Sequence, residues 1–134
     1  MSENILSFTS SGSGPVNALI QGDAAIGFAM TAQTVGEINN GYPLRIHFFE
    51  EGSPFSLYGI GMIKGKETRS DVKEVFDYIV TRWTEMDKVL FCPERIFKDR
   101  EFTLPNYPIN IRYADMAGNT PAEKERLLEK WIYE

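Results

Sequence analysis

The chain has 134 residues, of which 43% are hydrophobic and 25% are charged, and its formal net charge is -5. A chain of this length fits one domain that can bury a core without cross-links. The acidic balance excludes the basic face that nucleic-acid binding needs, so no nucleic-acid partner is expected. The single cysteine, Cys92, excludes an intramolecular disulfide and a cysteine-based zinc site.

The N-terminal residues carry no secretory signal, and no apolar run has the length of a membrane span. Taken alone, this indicates a cytoplasmic protein. A Ser/Gly loop nevertheless follows Met1 within a few residues, with no core strand before it. We therefore expect the chain to be a truncated gene product or an expressed fragment of a longer protein.

Three serines and two glycines occupy residues 10–14, and Pro15 follows them. Proline suits the start of a helix, and Gly22 suits its end. The free N–H groups and the positive dipole end of this helix, flanked by hydroxyls, can hold an anion. Capping by residue 13 or 14 explains one hydroxyl without any ligand. The predicted ligand-binding residues of this loop are Ser10, Ser11, Gly12 and Ser13.

The next segments alternate between strand and helix patterns. Residues 24–29 form a small-apolar run typical of a strand covered on both faces. A helix through Val35 and Ile38 follows, capped by Thr31 or Thr34, and residues 44–49 form a second strand. This order predicts an α/β fold with a parallel sheet.

Ligands of parallel sheets bind where the strands end. Met30 and Thr31 follow the first predicted strand, and the pair Glu50 and Glu51 follows the second. Met30, Thr31 and Glu51 are therefore added to the predicted ligand-binding residues. For the glutamates, a solvated loop is the alternative interpretation.

A third strand is predicted over residues 57–63, and an amphipathic helix over 70–83. Short helices are predicted over 85–91 and 93–98, and extended chain over 102–111. The final helix begins near Pro121 and is capped by Asn119 or Thr120. Its apolar side is formed by Leu127, Leu128, Trp131 and Ile132.

Catalytic patterns are weak in this sequence, and no enzyme activity is expected. The one histidine, His47, lies in a predicted strand, and any Ser-His-acid arrangement would have to use it. A small hydrolase is an alternative hypothesis, and it requires His47 to lie near a serine. Glu50 and Glu51 offer His47 only scattered metal ligands, so neither a metal nor a cofactor is expected.

With these residues in view, the chain resembles the C-terminal portion of a type II solute-binding protein of an ABC importer, in the iron(III)- or phosphonate-type subgroup. The resemblance covers almost the whole chain and depends on the order of modest motifs. These lie at residues 10–15, 21–28, 49–53, 59–65, 71–80, 93–97, 113–116 and 123–131.

The resemblance implies part of a two-lobed α/β fold with a ligand cleft. Residues 1–55 would form the later half of the second, ligand-binding lobe. Residues 56–134 would form a return crossover strand and a C-terminal helical segment packing on the first lobe. The full-length parent would be extracytoplasmic, either periplasmic or anchored at the cell surface by lipid. It would deliver a small-molecule solute to an ABC permease.

Ferric-binding members of that family carry adjacent tyrosines after the second-lobe strand, and residues 29–33 contain none. This difference favours a small anionic solute, such as a phosphonate or a sugar phosphate, over ferric iron, which remains an alternative. A stand-alone cytoplasmic ligand-sensing or interaction module is another alternative. In that case, the exposed edge of an incomplete sheet is expected to form a homodimer.

Overall fold

The computed structural model describes residues 4–56, 58–94 and 97–133, except the side chains of residues 131–133. The chain divides into two compact units. The first unit contains Met1–Ala29, Arg45–Phe55 and Pro108–Glu134, and the second contains Met30–Leu44 and Ser56–Tyr107. The domains predicted above, 1–55 and 56–134, stay a prediction.

The first unit contains the helices α1, Gly14–Gln21, and α5, Pro121–Tyr133. Helix α1 ends at Gly22, whose φ of 80° lies in the left-handed region that glycine adopts without strain. Helix α5 begins after Thr120, whose hydroxyl accepts a hydrogen bond of 3.2 Å from the Glu123 N–H. Both predicted helices are confirmed, and so is the cap at Thr120. Trp131 and Ile132 lie outside the described side chains.

The second unit contains α2, Thr31–Asn39, and one continuous helical segment over residues 70–90. That segment consists of α3, Ser70–Tyr78, a π-helical turn, Ile79–Trp83, and α4, Thr84–Leu90. The Thr84 hydroxyl donates to the Ile79 carbonyl, five residues earlier, at 2.8 Å. The same carbonyl also accepts the Thr84 backbone N–H, so it receives two hydrogen bonds at the end of the widened turn. The helices predicted over this part of the chain are confirmed.

The helix predicted over residues 93–98 is not formed at its described positions. Residues 93, 94 and 97 have no regular structure, and residue 98 is part of a bend. Arg95 and Ile96 lie outside the described residues. The chain from 102 to 111 is irregular, in agreement with the prolines at 105 and 108, which cannot donate backbone hydrogen bonds.

The predicted α/β fold is wrong, and so is the parallel sheet that it required. In residues 4–56, 58–94 and 97–133 there is no β-strand, and the only ladder contact is an isolated parallel bridge between Ser53 and Tyr113. The apolar segments 24–29, 44–49 and 58–63 are irregular. Leu57, the predicted start of the third strand, is not among the described residues.

The reason is that an apolar run indicates which side chains are suited to burial, whereas a strand also needs a neighbour to pair with. Ile26 is 84% exposed and Phe28 is 79% exposed, so the first of these runs is not covered. The sheet edge expected to support a homodimer is likewise absent from the described residues.

Buried apolar side chains are few. Among the described residues, only Val16 in α1 and Val35 in α2 are fully buried apolar residues, at 1% and 0% exposure. Val16 lies in the first unit and Val35 in the second. None of the helices in the described residues is long and apolar enough to cross a bilayer.

Candidate functional site

The Ser/Gly loop folds into a tight turn directly before α1. The Ser11 carbonyl accepts hydrogen bonds from the Thr9 hydroxyl at 3.0 Å and from the Gly14 N–H at 3.3 Å. A Cβ atom at Gly14 would lie 2.5 Å from the Thr9 Cβ, so this position requires glycine. Part of the glycine content of the loop is therefore explained by packing alone.

The serine hydroxyls of the loop are not used by the turn. Ser10, Ser11 and Ser13 are exposed. Ser13 is the N-cap residue of α1, as predicted, but its side chain makes no capping hydrogen bond. Capping side chains usually reach the helix from an extended backbone. Ser13 instead has helical angles, with φ at −84° and ψ at −18°.

The backbone at this helix start offers further donors. Within the described part of the chain, the amides of Gly12 and Ser13 donate no backbone hydrogen bond. The first turn of α1 contains no acidic residue, so no carboxylate of that turn offsets the positive end of the helix dipole. Hydroxyls, free amides and an uncompensated dipole together form a surface that can accept an anion.

Glu51 lies in the same unit, in a turn whose shape is fixed by packing. Gly52 is buried and has a φ of 112°, and a Cβ atom there would lie 2.7 Å from the Ala114 amide nitrogen. The Ser53 N–H donates to the Arg112 carbonyl at 2.9 Å. The Glu51 side chain is exposed beside this junction. Close backbone contact therefore explains the glycine of this motif without any ligand.

Arg112 contacts this turn from a distant part of the chain, and the sequence did not predict that contact. Its guanidinium Nη1 donates to the Glu50 carbonyl at 3.0 Å, across 62 positions of the chain. No local pattern in the sequence indicates a contact over such a separation.

Met30 and Thr31 belong to the second unit, whereas Ser10–Ser13 and Glu51 belong to the first. Met30 is the N-cap residue of α2 and is 50% exposed. Its carbonyl accepts bonds from the Thr34 N–H and the Thr34 hydroxyl, both at 3.1 Å. Thr31 is the first residue of α2, and neither predicted threonine cap is formed, since the N-cap residue is Met30.

The metal and hydrolase hypotheses both depend on His47. His47 is exposed. No group of three or more His, Cys, Asp and Glu side chains in the part of the chain that the structure describes is placed to hold a metal ion.

A second polar cluster, in the second unit, was not predicted. The Tyr107 hydroxyl donates to Glu94 Oε1 at 2.9 Å and lies 3.4 Å from the Cys92 sulfur. Burial raises the pKa of Tyr107 above its ordinary value, and the hydrogen bonds to Cys92 and Glu94 raise it further. Cys92 and Tyr107 are 15 positions apart, and the described residues between them, 93–94 and 97–106, form no regular element, so no sequence period could indicate this contact.

The comparisons with known proteins do not identify a family. No family model matches the chain, and no solved structure matches it. An uncharacterised protein of Haemophilus influenzae is 24% identical over 138 aligned positions. The alignment covers 98% of this chain but only 40% of that relative, so the chain spans less than half of the relative's length.

Proposed function

We propose that this chain is a substrate-binding component of an ABC importer, or part of one, and that it captures a small anionic solute without converting it. The solute class that best fits the loop is a phosphonate or a sugar phosphate. In this role the chain would pass its solute to an ABC permease. The order of motifs along the sequence, from residues 10–15 to residues 123–131, supports the assignment to this class.

One observation carries the proposal. Three exposed serine hydroxyls surround the start of α1, where no side chain caps the helix and no acidic residue lies in the first turn. A phosphoryl or phosphonyl group presents several acceptor oxygens and a negative charge, which match hydroxyl donors, amide donors and the positive helix end. Each hydrogen bond to a charged group contributes roughly 1.5–3 kcal/mol.

The test is titration of the chain with methylphosphonate, glucose 6-phosphate and inorganic phosphate in a phosphate-free buffer. Chemical-shift changes of the Gly12, Ser13 and Gly14 amides would report binding. Two or three such hydrogen bonds give a dissociation constant on the order of 1 mM, because 1 mM corresponds to about 4 kcal/mol. We expect saturable shifts with the two organic anions.

The matched variants are a triple change, Ser10→Ala, Ser11→Ala and Ser13→Ala, and a control, Ser56→Ala. Ser56 is an exposed serine of the second unit, outside the loop. We expect the triple variant to lose binding and the control to keep it. Absence of shifts with all three anions, alongside tight ferric binding, would overturn the proposal in favour of the ferric alternative.

A further inference from the structure

The second unit contains an apolar groove between α3 and the chain before it. The groove has a volume of about 540 Å³ and lies among residues 60–63, α3 and the π-helical turn. Its apolar walls include Ile60, Met62, Ile63, Val72, Val75 and Ile79. Val75 is 59% exposed and Ile63 is 75% exposed, so the apolar walls are open to water.

The groove is part of a wider excess of exposed apolar surface. Among the described residues, 25 large apolar side chains are exposed, in both units. Contiguous exposed apolar patches of this kind are typical of surfaces that bind another polypeptide.

The extent of this apolar surface decides what kind of partner covers the groove. A small apolar molecule could fill the groove, but it would leave other exposed apolar residues of the second unit, such as Tyr58 and Trp83, in water. A polypeptide can cover surface of this extent. The aligned relative supplies a candidate, since 60% of its length, the part outside the 40% that aligns, has no counterpart in this chain.

We infer that the groove beside α3 is the docking surface for polypeptide equivalent to the unmatched part of the Haemophilus influenzae relative. The docking segment carries apolar side chains that enter the groove between Met62 and Val75. It also carries an acidic group near Lys66, because Lys66 lines the groove and has no ion-pair partner among the described residues. Arg69, beside it, is already paired with Asp71.

The first experiment compares the intact Haemophilus influenzae relative with this chain. Hydroxyl-radical footprinting measures how accessible the side chains aligned with residues 60–79 are in the intact relative, and compares them with the same segment of this chain. We expect at least several-fold lower modification in the intact relative, since a covered side chain is shielded from solvent. Equal modification in the two proteins would overturn the inference.

The second experiment tests binding in trans, by co-expressing the chain with the unmatched part of the relative. The change Val75→Glu places a carboxylate in the groove and is expected to weaken the complex at least about tenfold, because burying an unpaired charge is costly. The matched control is Tyr78→Glu. Tyr78 is 56% exposed on the same helix and does not line the groove.

Loss of the complex with Val75→Glu but not with Tyr78→Glu supports the inference. Equal effects of the two changes contradict it. A homodimer of the chain alone that is abolished by Val75→Glu would also contradict it, since a second copy would then be the natural occupant. If the unmatched part does not accumulate in soluble form, the footprinting result decides.

Discussion

Helices α1 and α5 of the first unit both begin with a hydroxyl residue close to a proline, yet their starts are used differently. At α5 the Thr120 hydroxyl accepts the Glu123 N–H at 3.2 Å, and the Glu123 carboxylate lies in the first turn, where it pairs with Arg126. At α1 the Ser13 hydroxyl makes no cap and the first turn has no acidic residue. The same local signal can therefore be satisfied by the chain itself or left available to a ligand.

The conformation of one residue accounts for much of this difference. Ser13 has helical backbone angles, so its side chain does not reach the amides that a capping oxygen usually accepts from. At α5 the Thr120 hydroxyl already accepts the Glu123 N–H, and the negative charge of the first-turn Glu123 disfavours a bound anion. We therefore expect an anion to bind at α1 and not at α5.

The largest expected effect is on anion binding at α1. The change Ser13→Asp puts a carboxylate where we propose that the solute anion binds, so like-charge repulsion is expected to weaken binding of methylphosphonate at least about tenfold. Titration followed by the Gly12 and Gly14 amide shifts measures this. The control Ser56→Asp adds the same charge at an exposed serine of the second unit and should leave binding nearly unchanged. Equal weakening by both changes would contradict a site at α1.

A smaller effect is expected on helix stability. The change Thr120→Ala removes a capping hydrogen bond and should destabilise α5 by about 1 kcal/mol. The matched change Ser13→Ala removes no capping bond and should shift the stability of α1 by no more than a few tenths of a kcal/mol. Cα chemical shifts over 121–130 and 14–21 report the two helix populations. A comparable loss at α1 would show that Ser13 caps its helix in solution.

These starts also show what could be predicted from the sequence. The roles of Pro15, Gly22 and Thr120 involve only backbone groups within a few residues of each. These roles can therefore be predicted from the local pattern. The strands could not be predicted in this way. Ile26 and Phe28 satisfy the pattern of a buried strand, but a strand forms only when another strand pairs with it, and the described residues provide none.

The candidate site shows the same limit. The Ser/Gly loop was found because residues 10–14 are neighbours in the chain and precede a helix start. Arg112 and Tyr107 were missed because they meet Glu50 and Cys92 over 62 and 15 positions. Gly52 must be glycine because a Cβ there would lie 2.7 Å from the Ala114 amide nitrogen, and this too is a contact between distant segments.

The smallest expected effect is a difference in acid sensitivity between the two helices. The hydrogen bond from Arg126 holds the pKa of Glu123 below its ordinary value of 4.5. A carboxylate whose pKa is lowered in the folded helix stabilises that helix at pH values above its unfolded-state pKa. This contribution is lost as the pH falls through the lower pKa of the folded state. Below about pH 4.5 the population of α5 should therefore fall, whereas α1, with no acidic residue in its first turn, should respond less.

Amide and Cα shifts recorded from pH 6 to pH 2 test this difference. The variant Glu123→Gln isolates the responsible group, because it retains the Thr120 cap while removing the titrating carboxylate and its pairing with Arg126. We expect the acid response of the first turn of α5 to disappear in this variant. If α1 and α5 instead lose helicity together in both proteins, the acid response belongs to the unit as a whole. The stability of α5 would then not depend on the Glu123 carboxylate. The contrast between the two helix starts would rest on the capping bond alone.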